Sequence, residues 1–506
     1  MKKIFFLTIA IALFFQSCMK ELGNYEYSDV NKIVIDSIKT FYTIEQYTIP
    51  NITPVISQTI EKDESNLSFY WTLETSTGLD TLCKNKIFDS ELYIPPGDYY
   101  SVLFVFDNKT GLYSKVRFSI RVVSAIGEGL MVLSKKTGSN EAALTYFSTS
   151  NKVIKYPSFI GTDPVNIYYV RKGASTVPLV HVMCKDNLGG VVINPTTLTK
   201  FYNFKDFFYI PLTVVNPQSY TNVWTQYKTL PSVYGSSYYS ANFAEYVCND
   251  NKVYIRYAYG ANQRMDAPFL APDDLGYFAS PFIIGTYNGP SVFIYDEKNS
   301  RFLEATSISS NRLTKVKIKT TTPRVPFDPH SMGMKLKVLH ADWGLSVGSN
   351  MRIYYIMKDT DNNKNYYVEV LTTNLNFAPS KIYELNIPID SKTKFGCSVI
   401  TPAFYYSDKN KIYSFDVEVK SSVLRETLPD NEEISSMFVE QHVQKDPTTN
   451  KDYYDHLRLY VGVKGPVVNG NDGSIYIYKI NNDNTLTLLE SKKNFTGEIV
   501  SFAWKR

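Results

Sequence analysis

The fold of this chain is decided by residues 179–193, which read LVHVMCKDNLGGVVI. An apolar strand from Leu179 to Met183 stops at the polar turn Asp186–Asn187, and a second apolar strand returns at Val191–Ile193. Short apolar runs that are rich in β-branched residues and bounded by turn residues are typical of strands. The stretch therefore predicts an antiparallel hairpin within a β structure.

The same strand–turn–strand pattern recurs along residues 126–506, with almost no helical period between the units. The first strands of the seven units begin at Gly129, Leu179, Ala244, Phe282, Leu336, Ala403 and Leu457. Repeats built only of strands indicate a β-propeller, because a four-stranded blade buries its faces only against other blades. We predict a seven-bladed propeller, with the blade count open by one. Several stacked sandwiches are the alternative.

Closure of such a ring requires a strand that joins its two ends. The last strand, Glu498 to Trp504, lies at the C-terminus and is expected to pair with residues near 130. Ring closure protects the edges that an open array of sheets would leave exposed.

Residues 33–124 show a shorter strand spacing with frequent turn residues, which predicts one immunoglobulin-like β-sandwich. The run Leu67–Leu73 alternates in polarity and carries Trp71, which is expected to fill the core between two sheets. A turn at Pro95–Asp98 leads into the next strand, and Val116–Val123 closes the sheet. The chain is therefore predicted to be all-β, with a sandwich followed by a propeller.

The first residues have the pattern of an export signal. Lys2 and Lys3 precede the apolar run Ile4–Phe15, which is shorter than the roughly 20 residues that span a bilayer. Residues 1–17 are therefore predicted to be a signal peptide. Cys18 follows directly and is predicted to carry a diacylglyceryl lipid, with residues 18–32 as a tether. An ordinary secretory peptide with an incidental cysteine is the alternative.

Charge and cysteine content limit the possible partners. Removal of Lys2 and Lys3 lowers the formal net charge from +4 to +2, which argues against nucleic acid as a partner. The 40 Tyr and 30 Phe residues suit pleated, half-buried surfaces. Four widely spaced cysteines remain after Cys18, and both disulfides and separate buried thiols are open for them. They are Cys83, Cys184, Cys248 and Cys397.

Residues 18–27, which read CMKELGNYEY, resemble the start of the PKD-like family lipoproteins of Bacteroidetes. These typically have a cysteine, a few polar or acidic residues and Gly-Asn-Tyr-Asp-Tyr; Glu26 stands in place of the usual Asp. The sandwich, with Tyr70–Trp71 and with Gly97–Tyr99 leading into Val105–Asp107, is similar to a PKD fold.

This resemblance implies a location and a partner. Such lipoproteins are held at the outer membrane by their lipid, are exposed at the cell surface, and accompany a SusC/SusD-type TonB-dependent transporter. The implied role is that of an accessory subunit that binds an oligopeptide or a glycan, or that scaffolds the importer. Only Glu21 is acidic next to the lipidated cysteine, and Lys20 precedes it, so periplasmic and outer-face display both stay open.

No catalytic motif is visible, and we expect neither an enzyme nor a metal or other cofactor. The five histidines, which show no ligand spacing, are His181, His330, His340, His442 and His456. Neither a nucleophile elbow nor a phosphate loop is present. The alternative is a surface hydrolase that uses acidic residues in the propeller loops. A third possibility is a purely structural subunit of the transporter assembly.

A ligand site is predicted within residues 201–243, which are long for a blade connection and dense in aromatic rings. Aromatic faces beside amides suit sugar rings or extended peptides. The candidate ligand-binding residues are Asn222, Trp224, Gln226, Tyr227, Tyr234, Tyr238 and Tyr239. The alternative is an extra strand pair whose rings pack on the propeller. Residues 264–277, with Asp266, Asp273 and Asp274, are a second candidate.

Overall fold

The structure is a computed structural model of the 506-residue chain. It describes residues 29–505 except for a set of internal gaps. These gaps are residues 76–77, 149–151, 171–177, 224–243, 258–263, 286–290, 306–310, 319–324, 348–349, 374–375, 441–443, 446–451 and 454–456. The chain divides into two compact units, Met1–Val123 and Ser124–Arg506, which we name the sandwich unit and the ring unit.

The sandwich unit contains a five-stranded and a two-stranded sheet. Its strands are β1 (Ile33–Asp36), β2 (Phe41–Glu45), β3 (Val55–Gln58), β4 (Leu67–Thr75), β5 (Gly78–Cys83), β6 (Gly97–Asp107) and β7 (Tyr113–Val123). The larger sheet has the order β2-β7-β6-β4-β5, and β1 pairs with β3 in the smaller one. Among the described strands of this unit, β2 and β7 run parallel and the other pairs are antiparallel.

Trp71 lies at the centre of the sandwich core, as the sequence predicts. Its side chain is fully buried, and its ring stacks on Phe88 at a centroid distance of 5.3 Å and meets Phe118 edge-on at 6.0 Å. Its indole Nε1 donates to the carbonyl oxygen of Asn85 at 3.0 Å, so the polar edge of this large ring is satisfied.

The ring unit is built from strands and one short 3₁₀ helix within the described residues. Its first strands are β8 (Gly129–Lys135), β9 (Ala142–Ser148), β10 (Val153–Lys155), β11 (Pro164–Val170), β12 (Leu179–Cys184), β13 (Gly190–Asn194), β14 (Thr199–Asn203), β15 (Pro217–Val223), β16 (Ala244–Asn249), β17 (Lys252–Tyr257), β18 (Ala279–Gly285), β19 (Val292–Asp296), β20 (Arg301–Ala305) and β21 (Thr314–Lys315). The helix, Phe204–Phe207, follows β14.

The remaining strands complete this unit. They are β22 (Leu336–Val347), β23 (Asn350–Asp359), β24 (Asn365–Thr373), β25 (Asn376–Glu384), β26 (Phe395–Cys397), β27 (Ala403–Asp408), β28 (Lys411–Asp416), β29 (Ser421–Thr427), β30 (Glu433–Val439), β31 (Gln444–Lys445), β32 (Asp452–Tyr453), β33 (Arg458–Val468), β34 (Asn471–Ile480), β35 (Leu486–Thr496) and β36 (Glu498–Lys505). The all-β class predicted from the sequence is confirmed.

Within the described residues, these strands form seven antiparallel sheets of three or four strands and one small hairpin, β31-β32. The sheets are β10-β9-β8-β36, β11-β12-β13-β14, β15-β16-β17, β18-β19-β20-β21, β22-β23-β24-β25, β26-β27-β28-β29 and β30-β33-β34-β35. The inner edge strands contact one another in the cycle β36, β11, β15, β18, β22, β26, β30 and back to β36. The sheets therefore surround a common centre.

Each strand in the middle of a sheet packs on two neighbours at once. On β19, Phe293 and Tyr295 pack toward the next sheet, whereas Val292 and Ile294 pack toward the preceding one. Side chains alternate between the two faces of a strand, so a strand that is covered on both faces is apolar at every position. This burial explains the unbroken apolar runs in the sequence.

The hairpin that reveals the fold in the sequence is formed by β12 and β13. Val180 pairs with Ile193, and Met183 pairs with Gly190. Gly190 has a φ of +89°, and a Cβ atom there would collide with the carbonyl oxygen of Val182. Only glycine fits this close approach of two backbones.

The C-terminal strand closes the ring, as predicted. β36 pairs with β8 from Glu498 opposite Lys135 to Lys505 opposite Gly129. It thereby supplies the inner edge of the sheet whose other strands come from the start of the unit. Ile499 and Phe502 of this strand are buried in the core between the first and last sheets.

One prediction of local structure needs correction. The apolar runs Leu336–Ala341 and Met351–Met357 predict two strands joined by a loop, whereas β22 continues to Val347 and forms a hairpin with β23. Shifts of register after Val338 and after Trp343 break the alternation of β22. A bulge places two residues opposite one, so the polarity pattern loses its period there.

Candidate ligand-binding cavity

The inner strands of the ring unit enclose a cavity of about 710 Å³. Residues of β11, β15, β18, β22, β30 and β36 line it, together with residues 391–396 around the start of β26. Its position follows from the topology, because each sheet directs one edge strand toward the same centre.

The inner strands β18 and β22 run side by side in the same direction. Phe282 and His340 face each other at a ring distance of 5.5 Å, and Trp343 Nε1 donates to the carbonyl oxygen of Gly285 at 3.1 Å. In both pairs the two residues are 58 positions apart in the sequence. Because this separation stays the same along the strands, β18 and β22 run in parallel. β30 and β36 show the same relation, since Ser435 and Ser436 donate to the carbonyl oxygens of Ile499 and Val500.

An arc of three rings lines one side of the cavity. His340 lies between Phe282, which it meets edge-on, and Phe395, on which it stacks at 5.6 Å. Among the described residues, its Nε2 atom is buried without a hydrogen-bond partner. Burial lowers the pKa of His340 to about 4, so the imidazole is neutral at pH 7. The arc therefore lines the cavity with three uncharged rings.

Two tyrosines on the neighbouring inner strands β11 and β15 also belong to the cavity wall. Tyr168 and Tyr220 line the cavity with a ring distance of 5.7 Å, and Tyr220 also stacks on His181 at 4.5 Å. Behind this wall, Glu245 Oε2 lies 3.9 Å from His181 Nε2 and accepts from Arg256 Nε at 3.0 Å. Burial, and secondarily Arg256, hold the pKa of His181 well below its usual value. The charges behind the wall thus form an internal pair.

Amide and hydroxyl groups on the cavity wall connect neighbouring inner strands. Ser436 Oγ donates to the carbonyl oxygen of Val500 at 2.9 Å, and Ser501 is hydrogen-bonded to Asn166. The Asn166 Nδ2 atom donates to the Tyr168 hydroxyl at 2.6 Å. These groups fix the strands and place polar edges among the rings.

Two carboxylates also line the cavity. Asp342 Oδ1 accepts from the backbone N–H of Trp343 at 2.8 Å, and Glu440 Oε2 accepts from the Tyr460 hydroxyl at 3.1 Å. Glu440 is buried. Each carboxylate therefore has a structural contact of its own.

Most of the sequence-predicted site lies outside the described residues. The residues outside are Cys18, Trp224, Gln226, Tyr227, Tyr234, Tyr238 and Tyr239. The backbone of Asn222 belongs to β15 and pairs with Glu245. From the same aromatic stretch, the structure places Tyr220 on the cavity wall, whereas Phe204, Phe207 and Phe208 are buried in the core between two sheets. Phe201 and Tyr209, in contrast, are exposed, so the described rings of this stretch are divided between core and surface.

The second candidate stretch contains a structural ion pair. Asp273 binds the guanidinium of Arg301 through both carboxylate oxygens, at 2.6 and 3.0 Å, and Arg301 also donates to Asp296 at 2.9 Å. The bonds from Arg301 lower the pKa of Asp273. This contact ties residues 264–277 to β20.

Other sequence-based questions have structural answers within the described residues. Cys83, Cys184, Cys248 and Cys397 are separate buried thiols. No group of three or more His, Cys, Asp or Glu residues is placed there to hold a metal ion. No helix there has the length and apolarity needed to span a membrane.

Sequence reasoning missed the cavity residues themselves. Phe282, His340 and Phe395 lie on three different sheets, and none of them belongs to a motif. Five of the seven predicted units begin on the strand next to the inner edge, as Leu179 does on β12, and only the units that begin at Phe282 and Leu336 start on an inner strand. The predicted first strands therefore do not mark the cavity wall.

Comparison with known proteins supports part of this description. Residues 18–171 match the PKD-like family, so the chain carries a PKD-like family domain over that range. The match extends beyond the sandwich unit into the first strands of the ring unit. No curated protein matches the chain.

Several solved structures resemble this chain at low sequence identity and with TM-scores below 0.5. A quinonprotein alcohol dehydrogenase-like protein from Bacteroides thetaiotaomicron has a TM-score of 0.47 and 11% identity over 92% of this chain and 96% of its own. A Lactobacillus plantarum protein has a TM-score of 0.43 and 11% identity over 75% and 100%. The WD40 domain of SCAP from fission yeast has a TM-score of 0.28 and 9% identity over 65% and 74%. Similarity at this level indicates nothing about the chemistry of the cavity.

Proposed function

We propose that this chain is a lipid-anchored accessory lipoprotein whose ring unit, a seven-bladed β-propeller, binds an oligopeptide or a glycan in its central cavity. The observation that carries the proposal is the cavity of about 710 Å³ enclosed by the inner strands. Cavities of roughly 300–1,000 Å³ hold small ligands in known proteins.

The chemistry of the cavity wall supports this choice of ligand. Phe282, Phe395 and Trp343 present apolar ring surface, while Asn166 and Ser501 present amide and hydroxyl groups. Sugars and peptides combine apolar faces with hydrogen-bonding edges, so both match a wall of this composition.

The blade count rests on two observations. The described residues form seven three- or four-stranded sheets, and their inner edges contact each other in a closed cycle. Pairing of β36 with β8 joins the two ends of the unit in one sheet. A ring closed in this way protects its edge strands and keeps the cavity wall continuous.

Anchoring at the outer membrane is proposed from the leader sequence. The apolar run Ile4–Phe15 precedes Cys18, and the PKD-like family match begins at residue 18. Acylation of Cys18 would hold the protein at the membrane, because buried acyl chains contribute about 0.8 kcal/mol per CH₂ group. Exposure at the cell surface and association with a SusC/SusD-type importer follow from the resemblance to PKD-like lipoproteins.

A binding screen of the full-length acylated protein in mild detergent, with peptide and glycan libraries, tests the proposed ligand. We expect one class to bind, and we expect Phe282→Ala to weaken binding at least about tenfold, since a buried phenylalanine contributes roughly 1.5–3 kcal/mol. Phe159→Ala is the matched control, because Phe159 belongs to the same unit, is 56% exposed and does not line the cavity. Unchanged affinity in Phe282→Ala would remove the cavity as the site.

Two further variants separate the cavity from the aromatic segment predicted from the sequence. Trp224→Ala and Tyr227→Ala change that segment and leave Phe282 in place. If these variants lose binding while Phe282→Ala retains it, the ligand binds to the segment instead of the cavity. Absence of binding in both libraries would favour a purely structural subunit.

Co-purification from native membranes tests the importer role. A SusC/SusD-type pair that remains with the protein in mild detergent supports it, whereas a solitary protein contradicts it. The hydrolase alternative predicts turnover of the bound ligand that is lost in Asp342→Asn or Glu440→Gln, the variants of the two cavity carboxylates.

A further inference from the structure

The sandwich unit has a distinctive surface at the end where the chain enters it. We name this end the N-terminal pole and define it by residues 30–31, 60–61 and 107–113. Asn31 Nδ2 donates to Asp107 Oδ2 at 3.1 Å, and Asn31 Oδ1 accepts from the backbone N–H of Ile60 at 3.2 Å. The N–H of Asp107 donates to the carbonyl oxygen of Leu112 at 2.8 Å. Three separate segments therefore meet at one buried hydrogen-bond network.

Four apolar or aromatic side chains are exposed around this network. Val30 is 53% exposed, Ile60 51%, Leu112 47% and Tyr113 55%. Single exposed apolar side chains are ordinary on soluble proteins, whereas a group of them indicates contact with another surface. The hydrogen bonds of Asn31 and Asp107 bring these four residues to one end of the unit.

The exposed group continues into a cluster of rings on the outer face of the larger sheet. Tyr113 lies 5.2 Å from Phe106 and 5.8 Å from Phe104, and Tyr70 meets Phe106 edge-on at 5.5 Å. Lys84 lies with its Nζ atom 5.8 Å from the centre of the Tyr70 ring. Rings with a polar edge, flanked by lysine, are the side chains that favour a boundary between lipid and water.

The length of the tether limits where this pole can lie. Asp29, the first described residue, follows Cys18 by eleven positions along the chain. An extended chain of this length spans at most about 40 Å. Because Asn31 is fixed to Asp107, the tether reaches the sandwich unit at the pole.

We infer that the N-terminal pole rests on the lipid surface to which Cys18 is attached, with Leu112 and Tyr113 at the level of the lipid headgroups. This inference rests on the lipid anchor of the proposed function. The partner of the four exposed apolar side chains at the pole is then a phospholipid membrane. Contact at the pole would limit rotation of the sandwich unit on its tether.

Cysteine labelling tests the inference in the full-length acylated protein. The four described cysteines are buried, so a new cysteine at Leu112→Cys is the selective target of an impermeant maleimide. Leu79→Cys is the matched control, because Leu79 is 50% exposed and lies on β5 opposite Glu74, near the end of β4 that is remote from the pole. Tyr113→Cys serves as a second position at the pole if Leu112→Cys does not fold.

The rate of maleimide labelling is measured with the protein in vesicles of phosphatidylethanolamine and phosphatidylglycerol, and again after the protein has been released into detergent. We expect Leu112→Cys to react at least about tenfold more slowly in vesicles, because interfacial apolar groups lie ~5–10 Å inside the headgroup boundary. Leu79→Cys should react equally fast in both.

The remaining outcomes overturn the inference in distinguishable ways. If Leu112→Cys reacts at the same rate in vesicles and in detergent while mass spectrometry shows that Cys18 is acylated, the contact between the N-terminal pole and the membrane is rejected and the lipid anchor is retained. If Leu112→Cys still reacts slowly in detergent at high protein concentration, the pole contacts a second copy of the chain instead of the membrane. Absence of acylation at Cys18 rejects the anchor and, with it, the contact.

Discussion

The sandwich unit and the ring unit bury their ionic groups differently. In the sandwich, the Arg117–Glu74 and Arg121–Asp98 pairs lie at the surface. In the ring, Glu245 and Arg256 are 1% and 5% exposed and form an internal pair. Two facing sheets leave their outer sides to solvent, whereas stacked sheets cover both faces of most strands. A charged side chain inside such a stack must therefore find its partner there.

The ring unit depends on its last strand for closure, whereas the core of the sandwich unit does not involve that strand. Removal of β36 should therefore give the largest difference in stability between the two units. A chain that ends before Glu498 loses Ile499 and Phe502 from the core between the first and last sheets. It also leaves β8 without its partner. We expect the ring unit to lose its cooperative thermal transition in scanning calorimetry, while the sandwich transition remains.

The matched control for this truncation removes Arg506 alone, which leaves β36 complete. Its two transitions should equal those of the full chain. If the chain without β36 still shows a cooperative ring transition, β36 is dispensable for closure. The proposed difference would then be wrong, namely that the sandwich unit has one core of its own whereas the cores of the ring unit lie between neighbouring sheets and depend on closure.

The buried pair of the ring predicts the next largest effect. Glu245→Gln removes the charge that balances Arg256, whose Nε atom donates to Glu245 at 3.0 Å. Removal of one charged member of this buried pair should lower the free energy of unfolding of the ring unit by about 3–5 kcal/mol, measured by chemical denaturation. The control is Glu384→Gln, which breaks an exposed pair with Lys364 in the same unit and should cost about 0–1 kcal/mol. Equal losses in the two variants would contradict the argument.

The sequence shows the fold more clearly than the site. The hairpin at residues 179–193 and the core position of Trp71 follow from local polarity patterns, and the structure confirms both. The arc of Phe282, His340 and Phe395 does not follow, because a polarity pattern does not say which strand of a sheet lies inside the ring. Contacts between residues on different repeats depend on closure of the whole ring.

Lowering the pH from 7 to 5 should destabilise the ring unit through its histidines and leave the sandwich unit without this effect, because all five histidines lie after Ser124. The pKa of His340 is about 4 in the folded ring, against roughly 6.5 in an unfolded chain. Between these values the unfolded chain binds a proton that the folded chain does not, so stability falls as the pH is lowered through this window. His340 alone should lower the free energy of unfolding by about 2 kcal/mol at pH 5 relative to pH 7.

His340→Phe isolates this contribution, because it keeps a ring between Phe282 and Phe395 and removes the titrating group. Burial raises the pKa of Glu297 and Glu304, and these carboxyl groups change stability with pH in the opposite direction. They are present in both proteins and cancel in the difference. Parallel unfolding curves for the two proteins between pH 7 and 5 would show that His340 is not held neutral by burial.

The smallest effect is expected on the surface of the sandwich. Glu74 accepts two hydrogen bonds from Arg117, at 2.8 and 2.6 Å, but the side chains are 34% and 56% exposed. Water and salt screen such a pair, so Glu74→Gln should lower the free energy of unfolding of the sandwich by about 0–1 kcal/mol, and by less at high salt. Denaturation in low and high salt measures this change. A loss as large as that of Glu245→Gln would mean that the outer face of the sandwich is as shielded from solvent as the interior of the ring.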